Sequence, residues 1–313
     1  MCASAARASI CIVLFNTVSA MFRGIGDSRT PLILMGVACV SNIAGDLLLV
    51  GALGMKSDGA ALATVLAQGI SVAAAVLIVR RRGLGFAVEK SQLRPAWSET
   101  RAILRYGLPI AAQELLTGVS FMVILAILNG FGVIASAGVG VAEKLCSLMF
   151  IVPGAFMAAV SAFSAQNIGA GDVARARSSM YIGMAGSFAF GLVMFLISFT
   201  HGAWLAGFFT TDQAVCLAAA DYLRSYSVDC VIVGFNFCMM GYLNGHGQTL
   251  FVAIQGILST FLVRIPVSWL MSRVEGVSLF QVGFATPLAT VFAVVITVIY
   301  LVRYERKRAG EGR

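Results

Sequence analysis

The apolar positions of this chain gather into nine long runs, and the polar positions fall between them. The runs cover about 3–21, 32–54, 60–79, 103–131, 139–165, 180–199, 215–242, 250–271 and 280–302. Crossing a bilayer takes about 20 such residues. Hydrocarbon offers backbone N–H and C=O groups no partners, so each run must close its hydrogen bonds internally as an α-helix. The pattern therefore predicts an all-α polytopic membrane helix bundle, multi-pass in the lipid bilayer. Turn-rich polar stretches punctuate it, notably 22–31 after the first run and 243–249 after the seventh.

Composition agrees with the pattern. The chain has 313 residues, 59% of them hydrophobic and 12% charged, where a soluble domain averages about 25% charged. Mean hydropathy is +0.91. Thirty-three glycines suit close helix packing in lipid. The net charge of +8 is not a nucleic-acid signature. The arginines gather in the loops after the first, third and fifth runs and at Arg303–Arg308, as the positive-inside rule expects of cytoplasmic loops. That puts the C-terminus in the cytoplasm and, with nine spans, the N-terminus outside.

Candidate chemistry narrows the picture. The seven cysteines form no C-x-x-C pair, and His201 and His246 are the two histidines. Neither a disulfide framework nor a histidine metal site is expected, and no cofactor is implied. G-x-S-x-G, D-D-x-x-D and phosphate-loop motifs are absent, so the chain does not read as an enzyme. Gly24-Ile25-Gly26-Asp27 matches the pattern of intramembrane aspartyl proteases. Asp27, however, sits in a basic loop beside Arg29 and Pro31, where capping the next helix explains it better.

The informative residues are ions placed in hydrocarbon. Asp229 lies in the seventh run and Arg264 in the eighth. Each costs roughly 2.5–3.5 kcal/mol on insertion scales. At 1.5 Å per residue, Glu114 lies roughly 16 Å into the fourth run and Asp229 roughly 21 Å into the seventh, both near mid-depth. A carboxylate so placed can exchange a proton or bind Na⁺; the alternative is a static partner for Arg264 or Lys144. Arg264 reads as a counter-ion. Gln113 and Asn236 are further candidates to line a cavity, as are Asn42 and Asp46 on one face of the second run. Glu143 and Lys144 are adjacent and point apart on a helix, and they read as solvated ends.

The first three runs and the last three look like one unit used twice. Gly24-Ile-Gly26 then Thr30 parallels Gly245-His-Gly247 then Thr249. Leu62-Ala-Thr-Val65 recurs as Leu288-Ala-Thr-Val291. The order matches a parallel repeat, as in transporters built from two similar halves. The middle three runs then lack counterparts, and three spans are expected ahead of Met1.

Six motifs in series carry a resemblance. They are Arg23-Gly-Ile-Gly-Asp27-Ser-Arg-Thr-Pro31, Gly59-Ala-Ala-Leu-Ala-Thr64, Tyr106-Gly-Leu-Pro109, Ala165-Gln-Asn-Ile-Gly-Ala-Gly171, Gly241-Tyr-Leu-Asn-Gly245 and Val263-Arg-Ile-Pro266. Together they resemble the multidrug and toxic compound extrusion (MATE) transporters. The resemblance implies twelve helices in two pseudo-repeated six-helix lobes around a central cavity, of which this chain matches the last nine. It implies 1–82 as half of the first lobe, 83–102 as a cytoplasmic linker, 103–302 as the second lobe and 303–313 as a cytoplasmic tail. It further implies a monomeric secondary transporter of the bacterial plasma membrane. Such a protein exports cationic or amphiphilic xenobiotics in antiport with H⁺ or Na⁺. Some members bind the coupling cation with a Glu on the first helix of the second lobe and an Asp on the fourth. Glu114 and Asp229 lie on the matching helices, each about one turn out of register. The rival expectations are a lipid-linked sugar flippase of a related family and an inactive truncated fragment.

Overall fold

The apolar runs fold as helices, and no strand occurs among the described residues. The computed structural model describes residues 2–82 and 96–311, which divide into two compact units, 1–95 and 96–313.

In the first unit, α1 (Cys2–Gly24) is followed by α2 (Arg29–Asp46). A π-helical segment, Leu47–Ala52, prolongs α2, and α3 (Lys56–Arg82) closes the unit. Asp27 caps α2 as expected, accepting from the Arg29 and Thr30 backbone N–H groups at 2.9 and 3.0 Å. Helices α2 and α3 meet closely at Gly45, where an added Cβ would lie 2.9 Å from the Ala63 methyl. The buried Ser71 hydroxyl crosses the same interface to donate to the Leu34 carbonyl (2.6 Å).

The second unit holds α4 (Trp97–Leu128), α5 (Val133–Met149), α6 (Ile151–Gly169), α7 (Val173–Ala206), α8 (Gln213–Gly245), α9 (Thr249–Leu258), α10 (Ile265–Ser272), α11 (Leu279–Gly283) and α12 (Ala285–Glu311). A second π-helical segment, Ser259–Arg264, joins α9 to α10. Thus the middle helix of each half of the sequence repeat carries a six-residue π-helical segment.

Helix α8 is the axis of this unit. Of its apolar window 72% is buried, against 39% or less for the other spans. Small residues let its neighbours in. An added Cβ at Gly191 of α7 would overlap the Cys230 carbonyl, and one at Gly241 of α8 would meet the Met157 carbonyl of α6 at 2.5 Å. Close backbone approach of this kind is how helices gain contact in lipid, where tails compete for apolar surface.

Eight helical stretches among the described residues are long and apolar enough to cross a membrane. The first run forms α1, whose described apolar part is the shorter Ile12–Gly24. The chain is a multi-pass membrane protein. Three boundaries differ from expectation. The fifth run is two helices that meet at Phe150, because Pro153 has no N–H to continue the ladder to the Met149 carbonyl. The linker expected at 83–102 ends early, since Trp97–Arg101 form the first turn of α4; residues 83–95 lie outside the described residues. Nor does the chain leave its helix at Arg303. Helix α12 runs on to Glu311, held by Glu305, which accepts from Arg177 (2.9 Å) and the Tyr242 hydroxyl (3.2 Å).

At this same end His246 follows α8, with Nδ1 2.9 Å from the Tyr242 carbonyl. Burial holds its imidazole below the ordinary value, against the raising effect of that bond. From the arginine distribution this end is expected in the cytoplasm. With Cys39 replaced by serine, a cysteine at Arg306 is expected to be shielded from an impermeant thiol reagent applied outside the cell. One at Glu275, in the exposed turn after α10, should react. The opposite pattern would reverse the orientation.

Candidate functional site

Helical spacing builds the polar centre of the second unit. Tyr222, Tyr226 and Asp229 follow one another at i, i+4 and i+7, so they share one face of α8. All three are buried, with Asp229 only 2% exposed. Glu143 and Cys146 share a face of α5 at i, i+3, and Thr286 and Thr290 share a face of α12 at i, i+4. Arg264 enters from the π-helical segment. The Ile265 N–H bonds to the Thr260 carbonyl, five residues back, and Pro266 brings no N–H to restore α-helical pairing. Arg264 is thus the last residue of the π turn and the N-cap of α10.

Arg264 is 7% exposed and saturated with contacts. Its Nη2 donates to the Tyr226 hydroxyl at 2.5 Å, and its Nε donates to Thr286 Oγ1 at 3.2 Å. The guanidinium lies 4.4 Å from the Phe121 ring centroid, within cation–π range. Nη2 is 3.9 Å from Glu143 Oε1. That same oxygen accepts from the Tyr222 and Tyr226 hydroxyls at 3.4 and 3.3 Å. Tyr226 therefore relays the ion pair, accepting from Arg264 and donating to Glu143.

Asp229 is differently placed. Its Oδ1 is buried without a hydrogen-bond partner. The Thr290 hydroxyl stands beside the carboxylate, and Arg264 is near enough to attract it. Two carboxylates thus face one guanidinium.

The sequence expectations fare unevenly. Arg264 is a counter-ion, but the carboxylate nearest to it is Glu143. The reading of Glu143 as a solvated end is corrected: only its neighbour Lys144 is exposed. Adjacency rightly put the two in different directions, but α8 covers the Glu143 side. Glu114 is exposed on α4 and does not share this centre. It is Phe121, seven residues and roughly 10 Å further along α4, that stands level with Arg264. Asn236 is packed between helices, its Oδ1 accepting from Thr297 at 3.4 Å. Gln113 packs on α9 at Gly256, where an added Cβ would meet its Nε2 at 2.6 Å. In the first unit the Asn42 amide donates to Thr64 Oγ1 (3.3 Å), and Asp46 keeps one buried oxygen without a partner.

Sequence reasoning missed Tyr222, Tyr226, Thr286 and Thr290. The signal was present: two tyrosines at i−7 and i−3 from an intramembrane aspartate. Thr290 is also the repeat partner of Thr64, and both touch a polar side chain inside their own units.

Known proteins give the context. The family model described as MatE matches residues 109–270, just over half of the chain. "Probable multidrug resistance protein YpnP" of Bacillus subtilis is 26% identical over 94% of this chain and 65% of its own length. The "FAD transporter" of Shewanella oneidensis is 26% identical over 85% of this chain and 60% of its own. The chain thus spans under two thirds of the length of these relatives. Among solved structures, "Crystal structure of MATE in complex with MaL6" superposes with a TM-score of 0.88 at 19% identity. It covers 97% of this chain and 68% of the other, a likeness of fold. With the family match over residues 109–270, the chain belongs to the MatE family, that of the multidrug and toxic compound extrusion transporters.

Proposed function

We propose that this chain serves secondary active export of cationic or amphiphilic xenobiotics in antiport with H⁺ or Na⁺, with Asp229 taking the coupling cation. One observation carries the reading: a carboxylate 2% exposed, inside a membrane helix, with an oxygen that has no hydrogen-bond partner. An ion so placed is costly, and a monovalent cation offsets that cost. Export follows if substrate and cation favour different conformations, since only a difference in affinity between two states shifts their balance. The printed name of YpnP supports the substrate class. The excess of carboxylate over guanidinium argues against an anionic cargo, such as the pyrophosphate of a lipid-linked sugar.

The test is dye efflux from cells lacking their own pumps, expressing the reading frame that contains this chain. Efflux is expected to rise with an imposed Na⁺ or H⁺ gradient and to collapse when that gradient is dissipated. Efflux indifferent to both gradients would overturn the antiport reading. Failure of these 313 residues, folded and inserted, to export any dye would support the inactive-fragment alternative for the chain.

A further inference from the structure

The centre of the second unit is one positive charge short. Among the described residues, these elements bring polar, titratable or aromatic groups to it. Helix α5 contributes Glu143 and the thiol of Cys146. Helix α8 contributes Asp229, the phenols of Tyr222 and Tyr226, and the thiol of Cys230. The π-helical segment contributes Arg264, α12 only the hydroxyls of Thr286 and Thr290, and α4 the Phe121 ring. Phenols and thiols ordinarily carry no charge at neutral pH. Two carboxylates against one guanidinium leave a single negative charge in a buried place, where an unpaired ion is costly.

The geometry says which carboxylate is short. Arg264 spends its hydrogen bonds on Tyr226 and Thr286, and Tyr226 passes the interaction on to Glu143. Asp229 Oδ1 is left with none.

We propose that Glu143 sets the cation requirement of this unit at one. By holding Arg264, it leaves Asp229 to be neutralised by a single monovalent cation, either a proton bonded to the carboxylate or a Na⁺ beside it. A second cation would leave the centre with a net positive charge. This rests on the antiport reading and assigns to α5 a residue that acts through Arg264 without touching the cation. It has an unusual consequence. Removing the Glu143 charge frees Arg264 to pair with Asp229, and the internal pair replaces the external cation.

The test uses the purified 313-residue chain in detergent and reads cation binding as thermal stability, so it is independent of transport. A cation that binds only the folded state raises the unfolding midpoint, by roughly 4 °C at a hundredfold excess over its Kd. One arm varies NaCl against choline chloride at fixed pH and ionic strength. The other varies pH without Na⁺. If the cation is a proton, the folded centre holds one more proton than the unfolded chain, and the midpoint rises as pH falls.

The parent is expected to respond in one arm. Glu143→Gln, whose centre is neutral without a cation, should be flat in that arm. Glu143→Gln/Arg264→Met, which again leaves one negative charge, should regain the response. A merely structural Glu143 would lower the midpoint and leave the slope as it was. A Glu143→Gln slope equal to the parent's, a folded double variant that stays flat, or a parent flat in both arms would each overturn the proposal. If Glu143→Gln does not fold, the double variant decides alone. The antiport reading fails separately, in the efflux assay, if export ignores both gradients.

Discussion

Arg264→Met is expected to destabilise the protein by about 3–5 kcal/mol, the range for breaking a buried ion pair by removing one partner. Among the described residues the guanidinium is the one cation of the second unit's centre. Without it, half-buried Glu143 and buried Asp229 are like charges left without their cation, and the Tyr226 and Thr286 hydroxyls lose their donor. The loss should show as a lower unfolding midpoint in detergent, with the protein still inserted in the membrane. Arg264→Met/Glu143→Gln should recover most of it, because removing both partners of a buried pair is often near neutral. A single variant as stable as the parent would mean that the contacts of Arg264 carry no net stabilisation.

Nearly all of the fold was legible in the sequence, and for one reason. In hydrocarbon the backbone must satisfy itself, so nine apolar runs could be little else but helices. Boundaries were less legible where local chemistry overrode hydropathy. Polar residues 97–101 continue α4 because an amphiphilic helix end tolerates water, and the polar residues after Arg303 stay helical because Glu305 is held by Arg177 and Tyr242.

The site was half legible. Asp229 and Arg264 announced themselves as charges in apolar runs. Glu143 did not, because the sequence shows it beside a lysine and cannot show that α8 covers its side. The expectation that Glu114 and Asp229 form or flank one site rested on their matched depth, on carboxylate chemistry and on the helices the resemblance matches. Depth alone does not show which side of α4 meets the centre, and it is Phe121 whose ring lies 4.4 Å from the Arg264 guanidinium.

Asp229→Asn is expected to abolish export driven by a Na⁺ or H⁺ gradient while leaving the protein inserted and folded. The amide keeps the shape of the carboxylate and removes the charge that a cation would neutralise. Stability should hold, because Arg264 keeps Glu143, Tyr226 and Thr286 as partners, and the centre becomes neutral. This separates two roles. Were Asp229 only a counter-ion of Arg264, the single change would leave a buried cation short of its partner and lower the unfolding midpoint. Asp229→Asn/Arg264→Gln would then restore both stability and transport. In reconstituted vesicles the double variant is expected instead to remain inactive, since no carboxylate stands where the cation must be exchanged. Gradient-driven antiport by that double variant at the parent's rate would remove Asp229 from the coupling role and leave it a structural one.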